Sequence, residues 1–173
     1  MPVATLLVNV ATDLGTVAWV NPDNAEGNPD DVVATLTGAD PDDGIIRLAF
    51  PNPSTVLPAG AQVSRVYFGL RHAAITGFNI NTLTFDNSAI ARIEFYSDYV
   101  IPLTVLGVVQ WDLIATAGLD TNAKRIAGSP YVEIGSLFTN VVPDTIQIDS
   151  AYLEFTYTTG NKRRRDMRRR RGA

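Results

Sequence analysis

Hydrophobic and polar residues alternate along much of this chain, and the longest such stretch runs from Val56 to Leu70. A Pro-Ala-Gly turn at Pro58 to Gly60 hands over to a strand pattern. Val66, Phe68 and Leu70 fall on one face, Arg65, Tyr67 and Arg71 on the other. Period-two alternation of this kind belongs to a half-buried antiparallel strand. The pattern predicts further strands at residues 3–10, Gly15–Val20, Val32–Thr37, Ile45–Phe50, Phe78–Phe85, Ile90–Ser97, Val105–Leu113, Val132–Phe138 and Ile146–Tyr157. In the Val105–Leu113 strand, Val109, Trp111 and Leu113 are expected inside, Gln110 and Asp112 outside. Gly118 to Pro130 has room for one helical turn only.

The last strand changes phase. Ile146 and Ile148 lie on one phase, Ala151, Leu153 and Phe155 on the other, so a β-bulge at Asp149 or Ser150 is expected. Many short strands with Gly, Pro, Asn and Asp turns between them and almost no helix predict an all-β chain. The expected architecture is a two-layer antiparallel β-sandwich or a jelly roll.

At 173 residues the chain suits one domain, able to bury roughly 70% of its unfolded surface. The expected organisation is a sandwich over residues 1–160 and an extended Arg-rich C-terminal tail over 161–173. No apolar run approaches the roughly 20 residues of a spanning helix, so no membrane partner is expected. The N-terminus lacks a basic segment and carries polar Asn9, which makes it a poor signal peptide. The absence of cysteine excludes disulfides, thiolate metal sites and cysteine nucleophiles.

Charge changes the picture most. Eight of the 14 cations lie between Lys162 and Arg171 beside Asp166 alone, which leaves 6 cations against 17 acids in the body. An acidic body of −11 therefore carries a tail of +7, and the net of −4 hides both.

A resemblance enters here. Trp19-Val20-Asn21-Pro22-Asp23-Asn24-Ala25, Asp31-Val32-Val33-Ala34-Thr35, Leu57-Pro58-Ala59-Gly60-Ala61-Gln62-Val63 and the closing Ile148 to Tyr157 occur in that order. Together they resemble jelly-roll structural proteins of tailed bacteriophages and related viruses, over roughly residues 17–158. The resemblance implies a virion component assembled in the host cytoplasm. It would be a capsid decoration or cement protein, or a tail or fibre part, and not an enzyme. The implied partners are a major capsid protein or other virion proteins and further copies of the chain. The Arg-rich tail is not part of the family's pattern.

The chemistry-bearing residues are few. His72 is the one histidine and is expected to be a hydrogen-bonded strand-end side chain rather than a general base. No Gly-x-Ser-x-Gly elbow or zinc pair occurs. Glu94, Asp112, Glu133 and Glu154 sit on predicted strands, facing away from the core, and are expected on a solvated or interface-facing sheet surface. A catalytic pair would have to be shown by its spacing. The acidic loops Asp23–Asp31 and Asp40–Asp43 offer calcium-type oxygens, but neither has an EF-hand or nonapeptide spacing, so they read as a solvated rim. No cofactor or metal site is expected.

Partner binding is assigned to Lys162, Arg163, Arg164, Arg165, Arg168, Arg169, Arg170 and Arg171. Arginine forks suit an acidic protein surface, and phosphates of nucleic acid are the alternative. No aromatic in the tail would stack on bases. Tyr67, Tyr96, Tyr99 and Tyr131 lie outside the main apolar phase and are assigned to subunit contacts, with a sugar-binding platform for receptor recognition as the alternative.

Overall fold

The computed structural model describes residues 1–39, 43–75, 78–99, 105–138 and 144–160. Among these residues ten strands lie in two antiparallel sheets. They are β1 (Val3–Leu7), β2 (Val10–Asp13), β3 (Ala34–Gly38), β4 (Asp43–Ala49), β5 (Ala61–Ile75), β6 (Phe78–Asn87), β7 (Ile90–Tyr99), β8 (Gly107–Asp112), β9 (Tyr131–Phe138) and β10 (Asp144–Thr159). The first sheet runs β1–β10–β5–β8, with β3 pairing β10 beyond the end of β1. The second runs β2–β4–β9–β6–β7.

From β3 onward the order β3–β10–β5–β8 faces β4–β9–β6–β7. That interleaving of two Greek keys is the jelly roll expected from the sequence. Two one-turn α-helices, α1 (Leu113–Thr116) and α2 (Asn122–Arg125), and two 3-10 turns, Pro22–Ala25 and Pro53–Thr55, complete the described elements.

The long central strand forms as its pattern predicts. Ala61 N–H bonds the Pro58 carbonyl at 3.0 Å and Gly60 takes φ +77°, a backbone region open to glycine. Val66, Phe68 and Leu70 then enter the core. Trp111 stacks on Phe68 at 5.7 Å, and Phe50 meets it edge-on at 6.5 Å. Burying Phe68 completely contributes about 2–3 kcal/mol of transfer free energy.

The phase change in β10 is a register shift between Ile148 and Ser150, which leaves Asp149 as the extra residue. The bulge keeps Ile146 and Ile148 and then Ala151, Leu153 and Phe155 all in one core.

Three expectations need correction. Residues 3–10 make two strands rather than one, because the chain changes sheets at Val8 and Asn9. Val8 N–H still bonds Ala151 on β10, whereas Asn9 N–H bonds Ala49 on β4. Gly15–Val20 is a loop: the Asp13 carboxylate accepts from Gly15 and Trp19 N–H at 3.1 Å each and folds the segment back. Only Val20 makes a strand-like bridge, to Thr35. Leu113 is buried as expected, but it opens α1, capped by Asp112 at 2.9 Å, rather than ending β8.

Candidate functional site

Each sheet turns one face outward. On the β4–β9–β6–β7 face, cross-strand register lines up Arg47, Glu133, Thr84 and Glu94, with Tyr131 beside Asp86 one row away. Glu133 accepts from Arg47 Nε at 2.9 Å and Nη2 at 2.6 Å on one oxygen, and from Arg92 Nη2 at 2.8 Å on the other. Its carboxylate is thereby only 5% exposed although it points away from the core, which corrects the expectation of a solvated side chain.

The bond to Glu133 holds the Arg47 guanidinium above its ordinary pKa. Arg47 also lies 4.4 Å over the Tyr131 ring, and the Tyr131 hydroxyl donates to Asp86 at 2.9 Å. Burial, reinforced by that bond, raises the phenol's pKa. These groups spend their bonding capacity on one another. The arrangement fixes a carboxylate within a sheet surface and covers the Tyr131 ring with the Arg47 guanidinium.

The β10–β5–β8 face is different. Three rows cross it: Thr156 with Arg65, then Glu154–Tyr67–Asp112, then Tyr152–Gly69–Gln110. Gly69 is the key residue. A Cβ there would collide with the Tyr152 ring at Cζ, so the ring occupies the space a side chain on β5 would fill. Gln110 Nε2 on β8 donates to the Tyr152 hydroxyl at 2.6 Å. The ring therefore reaches from β10 over β5 to β8. Strands lie about 4.8 Å apart, so a tyrosine makes that span only by lying along the sheet.

Tyr67 stands half-buried in the adjoining row. Two half-buried tyrosines, one laid flat and tied at its hydroxyl, form an apolar platform rimmed by Gln110, Asp112, Glu154 and Arg65. Asp112 and Glu154 lie two strands apart across Tyr67. Asp112 Oδ1 is occupied as the cap of α1, and neither carboxylate lies in an enclosed pocket.

Arg71, on the same face, is committed elsewhere. It bridges Asp31 and the buried Asp149, and Asp31, then Asp149, raises its pKa. Asp149 also accepts from Asp30 N–H at 3.2 Å and Asp31 N–H at 3.0 Å. The bulged residue thus pins the loop before β3 onto β10. Part of the acidic loop Asp23–Asp31 is consequently structural: Glu26 accepts from Ala11 N–H at 2.8 Å, and Asp31 pairs with Arg71. Among the described residues no three His, Asp or Glu side chains converge as a metal site would need.

His72 corrects another expectation. It lies inside β5, fully buried, and neither ring nitrogen has a hydrogen-bond partner of normal geometry among the described residues. Burial pushes its pKa below the usual value, with the Leu70 backbone opposing only in part. Nothing places a substrate beside it.

Of the residues singled out from sequence, the structure separates Tyr67 and Tyr131 onto opposite sheets. Tyr96 and Tyr99 lie on β7, with their side chains outside the described set. Asp40–Asp42 and the tail cations Lys162, Arg163, Arg164, Arg165, Arg168, Arg169, Arg170 and Arg171 also lie outside the described residues. Sequence reading missed Tyr152, although Gly69 inside a strand pattern is a signal of close approach by another group.

No protein-family model and no curated protein matches the sequence. Among solved structures, the chain is similar to the carbohydrate-binding module TmCBM61, solved with β-1,4-galactotriose. The identity is 16%, the TM-score 0.45, and the match covers 84% of this chain and 88% of that one. It is also similar to the Endo-D glycoside hydrolase domain from Streptococcus pneumoniae, at 9% identity and TM-score 0.40. That match covers 85% of this chain and 22% of the other, so the chain spans about a fifth of that protein's length.

Proposed function

We propose that the chain is a non-catalytic recognition domain that binds a carbohydrate on the outward β10–β5–β8 face. The observation that carries this reading is the Tyr152 ring lying over Gly69 and tied to Gln110. A pyranose has one face of C–H bonds, which stacks on a flat aromatic ring, and a rim of hydroxyls that need hydrogen-bond partners. The platform supplies the ring, and Gln110, Asp112, Glu154 and Arg65 supply the partners. Holding the ring before the ligand arrives lowers the ordering cost of binding.

The test is a glycan array spanning neutral, amino and acidic sugars, followed by calorimetric titration of the best binder against wild type and Tyr152→Ala. Binding weakened more than tenfold by the substitution, with an unchanged melting temperature, is the expected result. A blank array, or binding indifferent to Tyr152, sinks the reading.

The separation of charge between residues 1–160 and the segment Lys162–Arg171 favours a second reading, as a virion structural protein. Here the cationic segment grips an acidic capsid or tail protein and the sandwich faces neighbouring copies. Deleting Lys162–Ala173 is expected to leave the fold intact and abolish loading onto particles. Normal loading by the truncated chain rules this reading out.

A further inference from the structure

We infer that the sugar taken by the tyrosine platform carries a free amine, as in a deacetylated amino-sugar polymer. This rests on the carbohydrate reading above and adds the ligand's charge to it. The inference comes from the row that crosses the platform, in which Glu154 and Asp112 stand directly on either side of Tyr67.

Charge on this face is poorly balanced. Arg71 is consumed by Asp31 and Asp149. Among the described residues that leaves Arg65, exposed and one row away beside Thr156, against two half-buried carboxylates at the centre. On the opposite sheet the deeply covered carboxylate of Glu133 is met by two arginines. Among the described residues the Glu154 side chain has no hydrogen bond or ion pair, and Asp112 uses only Oδ1 to cap α1. Oxygens left open beside a stacking ring suit a donor that arrives with the ligand, and a protonated amine makes the stronger, charge-assisted bond. The field of the two carboxylates, on a body that is itself acidic, also disfavours uronic or sulfated sugars.

The experiment titrates the full chain at pH 6 and low salt with glucosamine hexamer and with N-acetylglucosamine hexamer. Wild type, Glu154→Gln and Tyr152→Ala are compared. Glucosamine hexamer is expected to bind about three- to tenfold more tightly than its acetylated counterpart, the range of one or two partly exposed charge pairs. That advantage should shrink in 0.5 M salt, as expected for exposed charges, and fall by at least half in Glu154→Gln, where Asp112 alone remains. Equal binding of the two oligomers that is lost in Tyr152→Ala overturns the amine and leaves the platform standing. An amine preference undiminished in Glu154→Gln also overturns it. Binding of both oligomers that ignores Tyr152, or no binding of either, removes platform and amine together.

Discussion

On the β4–β9–β6–β7 face Glu133 has both oxygens engaged by arginines and Tyr131 is roofed by Arg47, whereas on the β10–β5–β8 face Tyr152 lies open over a glycine and the Glu154 side chain has no partner among the described residues. Both surfaces are built from the same alternation of apolar and polar residues on regular strands. They differ in whether polar groups find one another across the ladder. Where Arg47 stands opposite Glu133 and Thr84 carries Arg92 to it, the face closes on itself and serves stability. A small residue opposite a tyrosine leaves the ring lying flat, and the face keeps its bonding capacity for something else.

The largest effect should come from the loop clamp that borders the open face. Asp149→Ala leaves Arg71 and the Asp30 and Asp31 amides without their shared acceptor, at a site where the carboxylate is fully buried. A loss of about 3 kcal/mol in denaturant unfolding is expected, as for breaking a buried pair. A loss under about 1 kcal/mol would show that the clamp is dispensable.

Gly69→Ala sharpens the comparison itself. The added methyl evicts the flexible end of Tyr152, so sugar binding should fall about tenfold while stability shifts by less than about 1 kcal/mol. If binding survives, the ring's flat pose is irrelevant. On the closed face, Glu133→Ala should cost about 1–2 kcal/mol, because the exposed arginines can turn to solvent. The same variant should leave sugar affinity unchanged, and a parallel loss of affinity would mean that the two faces are not independent.

The smallest effect at neutral pH is a pH dependence from the core between them. The folded pKa of His72 is depressed, so its neutral form is fully tolerated above the unfolded value of about 6.5. As pH falls below that value the unfolded chain binds the proton more readily. Stability should therefore drop by up to about 1.4 kcal/mol per pH unit until the folded pKa is reached. His72→Gln should flatten that part of the stability curve, and an unchanged slope would place the titration elsewhere.

Much of the fold was legible because period-two alternation is local. Val66, Phe68 and Leu70 declare their face from their spacing, and the phase slip from Ile148 to Ala151 locates the bulge without any partner strand. Residues 3–10 read as one strand because alternation cannot say which sheet a strand joins. Gly15–Val20 failed because the Asp13 carboxylate outbids a weak strand preference there.

The sequence alone thus determined the inward face of the central and last strands, the all-β layered class and the opposition between an acidic body and a cationic C-terminal segment. All three follow from composition and near-neighbour pattern. Only the tertiary structure decided that Glu133 is covered while Glu154 is open, that Asp149 clamps a loop through Arg71, and that Tyr152 rests on Gly69. Those outcomes depend on which residues, up to 119 positions apart in the chain, are brought opposite one another. Cross-strand register sets that pairing, and no local pattern encodes it.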